Sequence, residues 1–145
     1  MSRKAPWALA SIVILGALAS ACSFGPPPSC GEEIGGTADT TIFDEYFNGM
    51  ALVSQQTGQP GEDSDQGARF AQAEALEIQA DAKSDVAIRA CIQPLSGQGE
   101  LQYDETETIA QGEHSLDLGT FQPGSYVIRV IVDSTLVKNF PFQIR

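Results

Sequence analysis

Positive charge is the scarcest feature of this 145-residue chain: eight lysines and arginines stand against 19 aspartates and glutamates, for a net charge of −11. A nucleic-acid-binding protein needs a basic footprint to meet phosphate, so that class is excluded. There is one histidine, His114, and one tryptophan, Trp7. A zinc site is poorly supplied by a single imidazole. Ser115 and Asp117 lie beside His114, but one and three residues along a strand do not build a hydrolytic triad. The chain has no Gly-x-Ser-x-Gly elbow, phosphate-binding glycine loop, heptad or internal repeat. No apolar run reaches the ~20 residues that a spanning helix needs. The longest, from Trp7 to Leu18, is about a dozen.

That run has a specific setting. It follows Arg3 and Lys4, which hold the start of the chain on the cytoplasmic side. It ends in Ala19-Ser20-Ala21-Cys22. A charged start, a short apolar stretch and small residues at a cut site form an export signal. Ala19-x-Ala21 suits an ordinary signal peptidase. Small residues directly before Cys22 also resemble the lipobox of bacterial lipoproteins, with Ala19 where the usual leucine stands. That resemblance implies a diacylglycerol on the Cys22 thiol and a new N-terminus at Cys22. Each buried CH₂ of an acyl chain contributes ~0.8 kcal/mol, and two or three chains anchor stably without protein contact. Ser23, not Asp, follows the cysteine. By the same resemblance it implies the outer membrane if the cell has two membranes, and otherwise the outer face of the cytoplasmic membrane.

The chain has three cysteines, Cys22, Cys30 and Cys91, and an odd count leaves one over in an exported protein. A lipidated Cys22 resolves this, because Cys30 and Cys91 are then the remaining pair, in a compartment where disulfides persist. Removing residues 1–21 takes Arg3 and Lys4 and no acid, leaving six basic residues against 19 acidic and a net charge of −13. An anionic lipid surface repels such a chain, so the lipid alone must hold it there.

Residues 22–37 contain Pro26-Pro27-Pro28 and several glycines, and read as a semi-rigid tether. Between Thr40 and Gln55 the pattern is double. Asn48-Gly49 between apolar runs is a strong hairpin signal. Phe43, Phe47 and Met50 also share a helical face behind a possible Asp39 cap. A glycine at position 49 costs that helix about 1 kcal/mol, so the hairpin is favoured. After Phe70 the period is two. Leu76, Ile78 and Ala80 alternate with polar residues, as do Val86, Ile88, Ala90 and Ile92. Leu116 and Leu118 follow His114 in parity, then come Tyr126, Ile128, Val130 and Val132, and last Phe140, Phe142 and Ile144. Short alternating strands split by Gly, Pro, Asp and Ser predict an all-β sandwich.

Phe121-Gln122-Pro123-Gly124-Ser125-Tyr126-Val127-Ile128-Arg129-Val130 resembles the penultimate strand of immunoglobulin-like and fibronectin-III-like domains, with Phe140-Pro141-Phe142-Gln143-Ile144 as the final strand. The resemblance implies one immunoglobulin-like antiparallel β-sandwich of about seven strands, at 38–145. Tyr126 is expected to bury its ring and bond its hydroxyl to backbone. Pro141 is expected at an edge or a bulge. Cys91 has opposite parity to Ile88, Ala90 and Ile92, so a bridge to Cys30 holds the N-terminal arm across the outside of a sheet.

Two acidic clusters invite chemistry. Asp63, Asp65 and Glu74 match three offsets of a calcium loop, but Ala68 stands where that loop needs glycine. Asp104, Glu105 and Glu107 offer paired carboxylates without any sign of a pocket. Both read as solvated surface, and no metal or other cofactor is expected. The expectation is thus a lipid-anchored, non-enzymatic interaction or accessory module of the cell envelope, whose partner is an unnamed envelope protein or ligand. The surface proposed for it is Phe43, Tyr46 and Phe47. The rival is a small-ligand carrier with a pocket between the sheets.

Overall fold

The computed structural model describes residue 30, residues 36–97 and residues 99–145. The leader, Cys22 and most of the tether lie outside them. The described chain forms one short helix and nine strands: α1 Thr40–Tyr46, β1 Phe47–Ser54, β2 Glu62–Ser64, β3 Gly67–Phe70, β4 Leu76–Ala82, β5 Val86–Pro94, β6 Tyr103–Ile109, β7 Gly112–Gly119, β8 Gly124–Val132 and β9 Thr135–Ile144. Two sheets result, a three-stranded one in the order β1-β4-β7 and a six-stranded one in the order β2-β3-β9-β8-β5-β6. In immunoglobulin lettering β1, β4 and β7 take the places of A, B and E, while β5, β8 and β9 take those of C, F and G. The fold is an all-β sandwich. The two strands beyond the expected seven are β2 and β3, which form a small hairpin between β1 and β4. One pairing departs from the antiparallel rule: β3 runs parallel to β9 from Ala68↔Phe142 to Phe70↔Ile144.

Alternation builds the core. Leu52, Ile78 and Leu116 from the smaller sheet meet Ile88, Ile92, Ile128, Val130 and Phe142 from the larger one. All are buried, and each such side chain contributes on the order of 1.5–3 kcal/mol by leaving water. With no tryptophan after Trp7, aromatic bulk comes from Phe47, Phe70, Phe121, Tyr126 and Phe142. Phe121, Tyr126 and Phe142 form a triangle of rings with centroids 5.3–5.7 Å apart. Tyr126 Oη donates to the carbonyl of Gln122 at 2.9 Å, the tyrosine corner of this architecture. Pro141 lies just before the β3–β9 pairing begins, so its missing N–H faces an unpaired stretch of strand. Gly67, at φ +94°, turns β2 into β3 against that same point, where an added Cβ would lie 2.0 Å from the Pro141 carbonyl oxygen.

The expected hairpin at Asn48-Gly49 is not formed. The preceding residues coil into α1, because Asp39 Oδ1 accepts from the N–H groups of Thr41 and Ile42 at 2.9 and 3.1 Å. A seven-residue helix is marginal alone. Ile42, Phe43 and Tyr46 hold it by packing on the core. It stops where Phe47 turns extended. The next residues pair with β4, about 30 positions later, and the Asn-Gly signal falls in a register shift between Phe47 and Gly49. Asn48 Nδ2 donates there to Asp81 Oδ2 at 3.0 Å.

Cys30 and Cys91 are joined. As parity required, Cys91 points away from the main core, into a second cluster with Cys30, Ile131 and Leu136. Ala38 and Leu101 pack over it. Asp39 N–H donates to the Leu136 carbonyl at 2.8 Å, and Asn139 Nδ2 to the Gly36 carbonyl at 3.2 Å. This part of the outer face of the larger sheet is therefore covered by the N-terminal arm.

Candidate interaction surface

The three aromatic residues singled out in the sequence do not form one exposed patch. Phe47, only 1 % exposed, belongs to the core, which corrects its assignment to a surface. The cause is the helix: it ends at Tyr46, so Phe47 enters β1 facing the other sheet. Phe43 and Tyr46 are half-buried on α1. Lys138 of β9 lies 5.3 Å from the Phe43 ring centroid and 5.7 Å from that of Phe140, within cation–π range. Tyr46 Oη reaches Asp133 Oδ2 at 3.4 Å. The negative charge of Asp133, with that of Glu45, raises the Tyr46 phenol above its ordinary value. Phe43, Lys138 and Phe140 thus make a small amphipathic surface where α1 meets β9.

The acidic stretch on β6 divides by parity. Asp104 lies on the outer face, gripped by Arg89 through Nε–Oδ1 at 2.7 Å and Nη2–Oδ2 at 2.9 Å. That bidentate bond holds the Asp104 carboxyl below its usual range. Glu105 and Glu107 sit opposite the inward residues Ala90 and Ile88. Both stay exposed, because β6 is the outermost strand of a sheet wider than its partner. Asp104 and Glu105 therefore point to opposite sides and do not converge on one bond. Burial is the main force on Tyr103, reinforced by Glu105, and pushes its phenol up to about 12.

His114 sits on β7 across from Ala80, while Ser115 and Asp117 point to the other face. Ser115 Oγ donates to Glu77 at 3.4 Å, and Asp117 Oδ1 accepts from Gln55 and from the Gly119 N–H at 2.8 Å each. Of the calcium-loop offsets, Glu74 is turned to other partners. Its Oε1 accepts from Ser54 Oγ at 3.2 Å and its Oε2 from the Ala71 N–H at 2.6 Å. Among the described residues no group of three His, Cys, Asp or Glu is placed to hold a metal.

Sequence reading missed a groove of about 410 Å³ at one end of the sandwich. Arg69 of β3 and the terminal Arg145 line it, with Ser54 at the end of β1, Glu62 and Glu74. Ser54 is 2 % exposed and is the one fully buried polar side chain among the described residues. The only signal for this groove in the sequence was the rarity of arginine itself.

No family model and no curated protein matches the chain. Among solved structures, a β-glucosidase from Listeria innocua aligns at 14% identity with a TM-score of 0.35, over 66% of this chain. The chain spans 16% of that enzyme's length. A likeness so slight carries no argument about activity. The fold rests on the strand order instead.

Proposed function

We propose that the chain is an extracytoplasmic lipoprotein, held to a bacterial membrane by lipid on Cys22, whose immunoglobulin-like sandwich is a non-catalytic interaction or accessory module of the cell envelope. The observation that carries this reading is the Cys30–Cys91 bridge. It uses two of three cysteines and leaves Cys22, directly behind a small-residue cut site, as the odd one. A structural disulfide in a small domain belongs to an oxidising compartment, which agrees with export. Both ends of the bridge are buried, as a structural rather than a reactive pair should be. The acidity of the mature chain leaves membrane affinity to the acyl chains.

A carrier with its pocket between the sheets has less support, because Leu52, Ile78, Ile88, Ile92, Ile128 and Phe142 fill that space. The chemistry-bearing residues are spread over separate faces, which supports binding over catalysis.

The test is intact mass and detergent partitioning of the exported wild type beside Cys22→Ala. Wild type is expected in the detergent phase with the mass of a diacylglyceryl chain starting at Cys22, and Cys22→Ala in the aqueous phase. Equal aqueous partitioning of both would sink the anchor.

A further inference from the structure

We propose that the groove beside Arg69 and Arg145 binds the carboxylate of a small, singly charged polar ligand, with Arg69 as its anchoring residue. This goes beyond membrane anchoring and stands whether or not Cys22 carries lipid.

The argument begins with how the few cations are used. Six basic residues follow position 22. Arg89 is committed to Asp104. Lys83 Nζ donates to the Asp44 carbonyl at the end of α1. Lys138 sits over two rings, and Arg129 has its own contacts. Arg69 and Arg145 are left, and both line the same groove.

Arg69 is unusual in its surroundings. Its Nε, like that of Arg129, is buried and meets no acceptor among the described residues; unlike Arg129, it lines a groove. Glu62 stands directly opposite it across the β2–β3 ladder, yet no ion pair joins the two. A buried donor without an acceptor costs about 1–3 kcal/mol, more when charged. Proteins pair such groups almost always. Occlusion of Nε also fixes the side-chain stem. The two Nη groups make no hydrogen bond or ion pair among the described residues and are not among the buried unpartnered atoms, so they are accessible. A held guanidinium with a free end matches the two oxygens of a planar carboxylate.

The rest of the lining sets the charge and size of the ligand. Glu74 is locked by Ser54 and the Ala71 N–H, so it is not free to swing onto Arg69. Glu62 and Glu74 against two arginines leave the lining side chains neutral. A singly charged ligand that pairs with Arg69 meets the least repulsion from the two glutamates, and a second negative charge adds to that repulsion. A volume of about 410 Å³ is at the small end of ligand sites. Gly61 brings the loop after β1 against β3, where an added Cβ would lie 2.5 Å from the Arg69 carbonyl oxygen. That closeness builds one wall of the groove from backbone.

The experiment is an NMR titration of the ¹⁵N-labelled chain carrying Cys22→Ala, with N-acetylglycine, its carboxamide N-acetylglycinamide, and inorganic phosphate. N-acetylglycine is expected to give saturable shifts at the Arg69 Nε–H signal and at the Thr57 and Ala71 amides, and the carboxamide none. Arg69→Gln is expected to weaken binding at least tenfold. Arg145→Gln should weaken it less, and Lys138→Gln not at all. Arg69→Lys, checked by the dispersion of its amide spectrum, separates loss of the fork from loss of the fold: folded protein with tenfold weaker binding supports the assignment. Equal shifts with the carboxamide, no saturation by 50 mM, or tighter binding of phosphate than of N-acetylglycine would overturn it.

Discussion

Cys30 and Cys91 stand 5.7 Å apart between Cα atoms, 61 residues apart in sequence, on the outer side of the larger sheet. In antibody domains the bridge crosses the core between the sheets. Here it fastens an arm to one sheet from outside, over Ile131 and Leu136. Closing a loop of that length is worth ~4 kcal/mol in the chain-entropy account. Cys30→Ser with Cys91→Ala is therefore expected to lower unfolding free energy by about 3–4 kcal/mol in urea, with far-UV dichroism still that of a β protein. Cys30 is 1 % and Cys91 0 % exposed, so a thiol reductant should cleave the native bridge much more slowly than the urea-unfolded one. Equal rates would mean that the arm does not cover it.

Tyr126 marks the second fixed point. Its hydroxyl bonds the Gln122 carbonyl, and its ring packs on Phe121 and Phe142. Tyr126→Phe keeps the packing and leaves that carbonyl unpaired, at a cost of about 1–2 kcal/mol. Tyr126→Ala also opens a cavity and should cost roughly 3–5 kcal/mol. Gly124 belongs to the same unit: an added Cβ would lie 3.0 Å from Tyr126 Oη, so Gly124→Ala is expected to cost more than an ordinary surface change. Chemical denaturation of the three variants orders them.

The parts of this fold that were legible in sequence share one cause. Where a strand is buried on one face, alternation writes that face into the residues, as with Leu76-Ile78-Ala80 and Val86-Ile88-Ala90-Ile92. Parity even placed Cys91 on the outside. In residues 40–54 local and long-range signals compete. Asn48-Gly49 is a turn by itself, but pairing with residues 76–82 put it in a bulge. Phe47, expected at the surface, is therefore core. The Arg69 groove left no local pattern at all. Its lining comes from the loops after β1 and β3 and from Arg145, which only the folded chain brings together.

Tyr103 supplies a pH test. Burial, then Glu105, raise its phenol to about 12 from the ordinary 10.0. The folded state thus keeps a proton that the unfolded chain gives up at lower pH. Stability from this group is complete below pH 10 and falls as pH rises toward 12. Ultraviolet titration of wild type against Tyr103→Phe should show the missing phenol ionising above pH 11. The wild type should lose stability faster than the variant between pH 10 and 12.

The β8–β9 turn offers a gain in place of a loss. Asp133 and Ser134 both have positive φ, 47° and 64°, as a two-residue type I′ hairpin demands. Neither is glycine, and a left-handed residue with a side chain costs roughly 1–2 kcal/mol. Ser134→Gly removes that cost but frees the unfolded chain, which returns part of it. The net gain is expected at about 0.5–1 kcal/mol, a rise in Tm of a few degrees for a domain near 100 residues. Ser134→Val should act in the opposite sense, because a β-branched residue tolerates that φ least. Asp133 should be left in place, because it holds Tyr46 Oη and ties this turn to α1. Calorimetry of the two Ser134 variants separates backbone strain from lost contacts: if strain governs the turn, glycine raises Tm and valine lowers it. A fall in Tm with glycine would show that the serine side chain stabilises the turn by more than its backbone conformation costs.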